Sequence, residues 1–367
     1  MGRAAGPTAP GRAPRAVLGL VVGLVLGLGV TAGAAGCERG PGAAELERLH
    51  AEAVAANQAR LAAHATDDVD APGRSLTVLG ELARPSATLD WAALDRLGQA
   101  HVRTTNPQSP TERGRVVDFR GVLVRDLLDQ FAAAPAADEI TFVALDGFRS
   151  TVPAADLRRY RVLLAIAADG ARIERSSGGP IFLVFPHSES PETEALFPDR
   201  YWSFYVTHVV VGTPPPRLRV GATTLDAAAL AALPSVTLDT PVGWKTQWPS
   251  GPVHLRGVAL TEVLRAAGAS VPTGGRLVVR GMAAAQRDPL DPVALSAEDI
   301  ASCGLILATA WGQDEAPITA RRGGPLALAV PPACAERLGE RTWVTFVEEL
   351  VIEDTAAGPA PAPGAAP

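Results

Sequence analysis

The chain contains itself twice. The segment from about Ser75 to Gly212 reads again, motif for motif, from about Arg217 to Asp354. Thr88-Leu89-Asp90 returns as Thr224-Leu225-Asp226, and Phe119-Arg120-Gly121-Val122 returns as Leu255-Arg256-Gly257-Val258. Gly178-Gly179-Pro180 returns as Gly323-Gly324-Pro325, and Trp202 with the apolar run behind it returns as Trp343. The offsets at Arg120, Gly178 and Trp202 are 136, 145 and 141, so two modest indels separate copies that keep order and spacing. Each unit is long enough to bury its own core, which excludes a solenoid of short repeats and predicts two tandem domains, 75–212 and 217–354. Between them, at 213–216, Thr213-Pro214-Pro215-Pro216 places three residues without N–H donors, an extended spacer that stops a strand from continuing.

The N-terminal 36 residues have the layout of an export signal: arginines at positions 3, 12 and 15, the apolar run Ala16 to Ala35, then Gly36-Cys37. Ala34-Ala35-Gly36-Cys37 resembles a bacterial lipoprotein signal, in which Cys37 becomes the lipid-bearing first residue. An uncleaved anchor, since about 20 apolar residues can span a bilayer, and an ordinary cleaved signal are the alternatives. All three put the domains outside the cytoplasm, and the leading reading is a periplasmic lipoprotein tethered to the membrane. Loss of the three leader arginines takes the formal net charge from −6 to −9. That excludes a nucleic-acid partner, which needs a basic surface to displace counterions. The stretch 37–74 reads as a solvated helical spacer, because Ala43 to Ala63 is rich in helix formers and lacks Gly and Pro. The tail 355–367 is Ala, Pro and Gly and cannot pack.

Within each unit the pattern predicts a short strand (Ser75 to Leu79; Leu218 to Val220), a helix capped by Thr88 or Thr224, and a second strand (His101 to Thr105; Ser235 to Leu238). A polar loop follows, then Arg-Gly-Val leads into a helix with Leu123, Leu127, Leu128 and Phe131 at helical spacing. Three more strands follow in each copy: Ile140 to Leu145, Ile181 to Phe185 and Val206 to Val211 in the first, Leu277 to Val279, Leu326 to Val330 and Val347 to Ile352 in the second. Few helices and many strands in irregular order predict α+β with mixed sheets. Gly121 and Gly257 are expected to serve the backbone turn into the helix. Arg120 and Arg256, each just ahead of that glycine, are read as structural arginines holding a loop carbonyl or a carboxylate, with an anion site as the alternative.

These motifs in this order, with Ala144-Leu145-Asp146-Gly147-Phe148 and the late tryptophan, resemble the molybdopterin-binding domain of sulfite-oxidase-type oxidoreductases over essentially the whole of each unit. The resemblance implies a cysteine after the second strand as the molybdenum thiolate. Here that stretch is Val102-Arg103-Thr104-Thr105-Asn106 in one copy and Thr237-Leu238-Asp239-Thr240-Pro241 in the other, with no cysteine in either. A neutral hydroxyl is a poor substitute for a soft thiolate. The resemblance also implies a lysine beside the late tryptophan, where Tyr201 and Thr342 stand. Arg12-Ala13-Pro14-Arg15 is not the twin-arginine pair with which folded, cofactor-loaded relatives are exported. The expectation is a cofactor-free, non-catalytic binding module, with Thr105, Arg120, His187, Trp202, Thr240, Arg256 and Trp343 as the candidate pocket, no metal, and an unknown protein or small anion as its partner. The alternative is a divergent molybdopterin-dependent oxidoreductase that holds the cofactor without a cysteine. A third reading makes the second copy a dimerisation domain for the first.

Three other features carry chemistry. Cys303 and Cys334, both in the second copy, are a candidate disulfide in an oxidising compartment, with two separate buried thiols as the alternative. The loop His187-Ser188-Glu189-Ser190-Pro191-Glu192-Thr193-Glu194 is read as a solvated acidic loop, its spacing matching no recognised metal loop. Trp244-Lys245-Thr246-Gln247-Trp248 is read as folded back on its own domain, with an exposed binding surface as the alternative.

Overall fold

In the computed structural model the described residues are 42, 44–52, 55, 75–107, 114–243, 247–282, 292–339 and 342–354. The leader, Cys37, the rest of the spacer, Trp244 to Thr246 and the tail lie outside them. The chain forms two compact units, Met1–Thr66 and Asp67–Pro367. In the first, residues 44–52 are helical and exposed, with Arg48 paired to Glu45 at 2.6 Å. The second holds both repeats.

Among the described residues the first repeat has ten strands: β1 (Leu76–Gly80), β2 (Ala87–Leu89), β3 (Ala100–Thr105), β4 (Val116–Leu123), β5 (Glu139–Ala144), β6 (Arg149–Pro153), β7 (Leu163–Ala168), β8 (Ala171–Arg172), β9 (Phe182–Val184) and β10 (Val206–Val211). One sheet has the order β2-β1-β10-β5-β6, the other β3-β4-β7-β8 with β9 also on β7. The second repeat restates both with β11 (Arg217–Val220), β12 (Thr223–Asp226), β13 (Ser235–Pro241), β14 (Pro252–Ala259), β15 (Arg276–Gly281), β16 (Val293–Ser296), β17 (Ile306–Trp311), β18 (Ala316–Pro317), β19 (Ala327–Ala329) and β20 (Val347–Glu353). β1 on β10 and β11 on β20 are the parallel pairs; the others are antiparallel. A parallel pair needs a crossover, and here nearly the whole repeat is that crossover. The fold is α+β with mixed sheets and short helices. In each repeat one cluster joins the inner faces of both sheets, for example Leu76 and Phe142 with Phe119 and Leu164, or Leu218 and Leu277 with Leu255 and Leu307.

Two local expectations are corrected. The helices Trp91–Leu97 and Ala227–Ala231 are capped by Asp90 and Asp226, whose carboxylates accept from Ala93 N at 2.7 Å and Ala229 N at 2.8 Å. Thr88 and Thr224 lie two residues earlier in β2 and β12, and Thr88 Oγ1 meets Thr77 Oγ1 across the strands at 3.0 Å. Gly121 and Gly257 do not turn the chain into a helix; each lies inside a strand, at a bulge between Arg120 and Gly121 or Arg256 and Gly257. A Cβ there would stand 2.0 Å from Leu164 O or Leu307 O, so only hydrogen lets β4 and β14 approach β7 and β17.

The repeats meet along a seam. Val143 and Val210 of the first pack with Met282, Ala320 and Phe346 of the second. Arg149, 2% exposed, reaches across to donate to Arg321 O at 3.3 Å and Thr345 Oγ1 at 3.4 Å, its guanidinium over the Phe346 ring. Burial lowers its pKa to about 10, still cationic at neutral pH. Cys303 and Cys334 are joined in a disulfide, Cα atoms 5.7 Å apart, between the end of the helix Ala297–Ser302 and the helix Pro332–Leu338.

Gly121→Ala is expected to destabilise by about 3 kcal/mol or more through overpacking against backbone. Gly304→Ala, at positive φ with open space around it, should cost about 1 kcal/mol. Denaturant midpoints of the two variants measure the contrast, and equal losses would refute the close-approach account. With the two cysteines 31 positions apart in the sequence, reducing the disulfide should cost about 3 to 4 kcal/mol, read as a drop in the second repeat's unfolding midpoint in dithiothreitol.

Candidate functional site

The structure brings His187 and Trp202 together and buries both, at 6% and 2% exposure. Trp202 Nε1 donates to His187 Nε2 at 3.1 Å, which leaves the imidazole proton on Nδ1 to donate to Thr193 Oγ1 at 2.9 Å. Thr193 Oγ1 in turn donates to Ser190 O at 2.6 Å. Every polar atom of this chain is used, and the histidine is neutral. Burial lowers its pKa below 6.5, opposed by the nearby Glu194 carboxylate. Phe119, Phe182 and Phe185 surround the indole, and Phe197 stacks on Phe185 with centroids 4.9 Å apart.

The loop beginning at His187 is not simply a solvated acidic loop; it is latched onto the end of β3, where the resemblance places the cofactor thiolate. Ser188 N donates to Thr104 Oγ1 at 3.3 Å, Thr105 N donates to Ser188 Oγ at 3.2 Å, and Arg103 N donates to Glu189 Oε1 at 3.0 Å. Glu189 Oε2 also pairs with Arg161 at 3.0 Å. Glu189 satisfies two donors that would otherwise face water, which explains why an acidic segment lies down on the strand.

Strand register identifies a residue that the sequence reading missed. Thr104 pairs with Val117 and Thr240 with Val253, so Thr104, not Thr105, is the counterpart of Thr240. The offset of 136 already seen at Arg120 was the signal that could have found it. Thr104 and Thr240 are 0% and 1% exposed. Thr240 Oγ1 donates to Val330 O at 2.9 Å, just past β19, so in both copies this hydroxyl ties the third strand, β3 or β13, to the segment that follows the ninth.

The remaining candidates are structural and dispersed. Arg120 donates to Gly98 O at 2.8 Å and pairs with Asp95 at 3.0 Å, binding the end of the helix Trp91–Leu97 to β4. Arg256 pairs with Glu315 at 3.4 Å. Trp343 is buried against Gly243, where a Cβ would stand 2.6 Å from the indole. Trp248 is also buried and donates from Nε1 to Arg322 O at 3.0 Å, so this end of its loop folds back on the second repeat. Among the described residues no group of three or more His, Cys, Asp or Glu side chains is placed to hold a metal.

Residues 64–190 match the family model of the oxidoreductase molybdopterin binding domain. That span takes in most of the first repeat, and the second repeat carries the same sheet arrangement, as expected of tandem molybdopterin-binding-like domains. Among solved structures, the sulfane dehydrogenase SoxCD from Paracoccus pantotrophus is similar at 13% identity and a TM-score of 0.31, over 57% of each chain. The chain therefore spans little more than half the length of that one. No curated protein matches.

The residues present do not fit the molybdenum end of the group this family name implies. The stretch where the resemblance places the thiolate holds neutral hydroxyls, among them Thr104 and its counterpart Thr240, each engaged in a hydrogen bond to the adjoining segment. The two cysteines within the repeats are bonded to each other.

Because the folded state depresses the His187 pKa, the unfolded chain takes up the proton first. The contribution of neutral His187 is complete above pH 6.5 and is lost as the pH falls below it. His187→Gln, which keeps an acceptor and a donor, should flatten the fall in denaturant midpoint between pH 7.5 and pH 5 relative to the parent. Parallel curves for the two proteins would rule out this titration.

Proposed function

We propose that this chain is an exported, membrane-tethered protein in which two molybdopterin-oxidoreductase-like domains, 75–212 and 217–354, act without cofactor as a binding module at the cell envelope. The observation that carries the reading is the fate of the cofactor edge. In both repeats the stretch where the resemblance places the ligand holds a buried threonine, Thr104 or Thr240, tied by its hydroxyl to the segment after the ninth strand. A metal there would require the latch to open and a soft anionic ligand to be supplied from elsewhere. The leader and the Cys303–Cys334 disulfide support an extracytoplasmic site of action, since disulfides persist in oxidising compartments.

The family match over residues 64–190 favours a second reading, a divergent oxidoreductase holding the cofactor through its pterin in the first repeat. Elemental analysis for molybdenum, with pterin fluorescence, on folded protein purified from its native envelope separates the two. The expected result is molybdenum far below one atom per chain. A stoichiometric signal would establish the second reading and overturn the first.

A further inference from the structure

Away from the cofactor edge, a cleft of about 470 Å³ opens where the two repeats and their linker meet. Its apolar surface comes from Leu79 of the first repeat, Met282, Pro325 and Phe346 of the second, and Pro214 and Pro215 of the linker. Two cations, Arg217 and Arg219, stand on the same wall. Arg219 is neutralised by Glu349 at 2.6 Å. Arg217 is exposed and its side chain has no hydrogen bond or ion pair among the described residues, whereas the acid in the lining, Glu348, has an interaction of its own.

From this geometry we infer that the inter-repeat cleft is a binding site for a small amphipathic anion, its apolar body lying against Leu79 and the linker prolines and its single anionic head on Arg217. The volume falls in the range of small-molecule sites, which favour domain junctions, apolar walls and a few placed polar groups. Charge decides the head: the cation without a partner in the lining is Arg217, and a guanidinium binds a carboxylate or sulfonate through paired N–H donors. The linker decides against an extended peptide. Pro214 and Pro215 offer no backbone N–H to a strand added along that wall. The wall is also held in place, because Thr213 N donates to Glu81 Oε1 at 2.9 Å and so fixes the start of the linker to the first repeat.

The inference is independent of the cofactor reading: molybdenum in the first repeat would leave it standing, and its failure would leave the cofactor-free reading standing. The test uses two probes that differ in the anionic group, 8-anilinonaphthalene-1-sulfonate and the neutral N-phenyl-1-naphthylamine, titrated by fluorescence into the folded protein. Both should bind saturably at one site per chain. Arg217→Met, an exposed position, should weaken the sulfonate by about tenfold and leave the neutral probe unchanged. Ser86→Trp, which fills the cleft from an exposed lining position, should abolish both. The site is refuted if the sulfonate does not bind saturably, or if Arg217→Met or Ser86→Trp binds it as tightly as the parent.

Discussion

A strand can approach its neighbour no closer than its side chains permit, and much of this molecule depends on two places where that limit is removed. At Gly121 and Gly257 the absence of a Cβ lets β4 and β14 press onto the carbonyls of Leu164 and Leu307. The bulge that accompanies the contact shifts the register by one residue and bends the sheet. From that bend follow the positions of β7 and β17, then of β9 and β19 on their flanks, and finally of the segments that fold back onto Thr104 and Thr240. The hydrogen bonds at Thr104 and Thr240 thus sit downstream of geometry set well inside the sheet, and the same close contact appears in both repeats although their side chains have diverged widely.

Periodicity and repetition made the architecture legible. The duplicated motifs fell at equivalent places in the two repeats, and the apolar runs at Val206 to Val211 and near Val347 became the central strands of their sheets. Whole strands escaped as well as short ones: β4 and β14 read as the lead into a helix because each carries a glycine just ahead of one, and β6, β7, β8 and their counterparts carry no strong alternation. The caps were misplaced by two residues because threonine and aspartate both cap helices, and only the backbone path says which is at the hinge. Gly121 looked like a turn glycine, since a turn and a close approach leave the same mark in a sequence.

The candidate site was legible in part. That no cysteine stands at 102–106 or 237–241 was evident from the letters alone. What replaced it was not, because the partners of Thr104 and Thr105 lie more than eighty residues away. His187 and Trp202 were named as pocket residues for their chemistry, yet they spend that chemistry on each other. The seam was invisible for the same reason: nothing near Arg149 in the chain announces that its guanidinium will lie over Phe346 of the other repeat.

The two repeats share a plan but not a means of holding it. The first closes around a cluster of rings that includes Phe119, Phe182, Phe185, Phe197 and Trp202, whereas the second has Ala327, Ala329 and Val330 in the corresponding strand and a covalent bridge from Cys303 to Cys334. Rings pack wherever the chain meets water, but a bridge forms only where there is something to accept the thiols' electrons. One half of the molecule thus completes itself from its own sequence, and the other takes its last increment of rigidity from the chemistry of its surroundings.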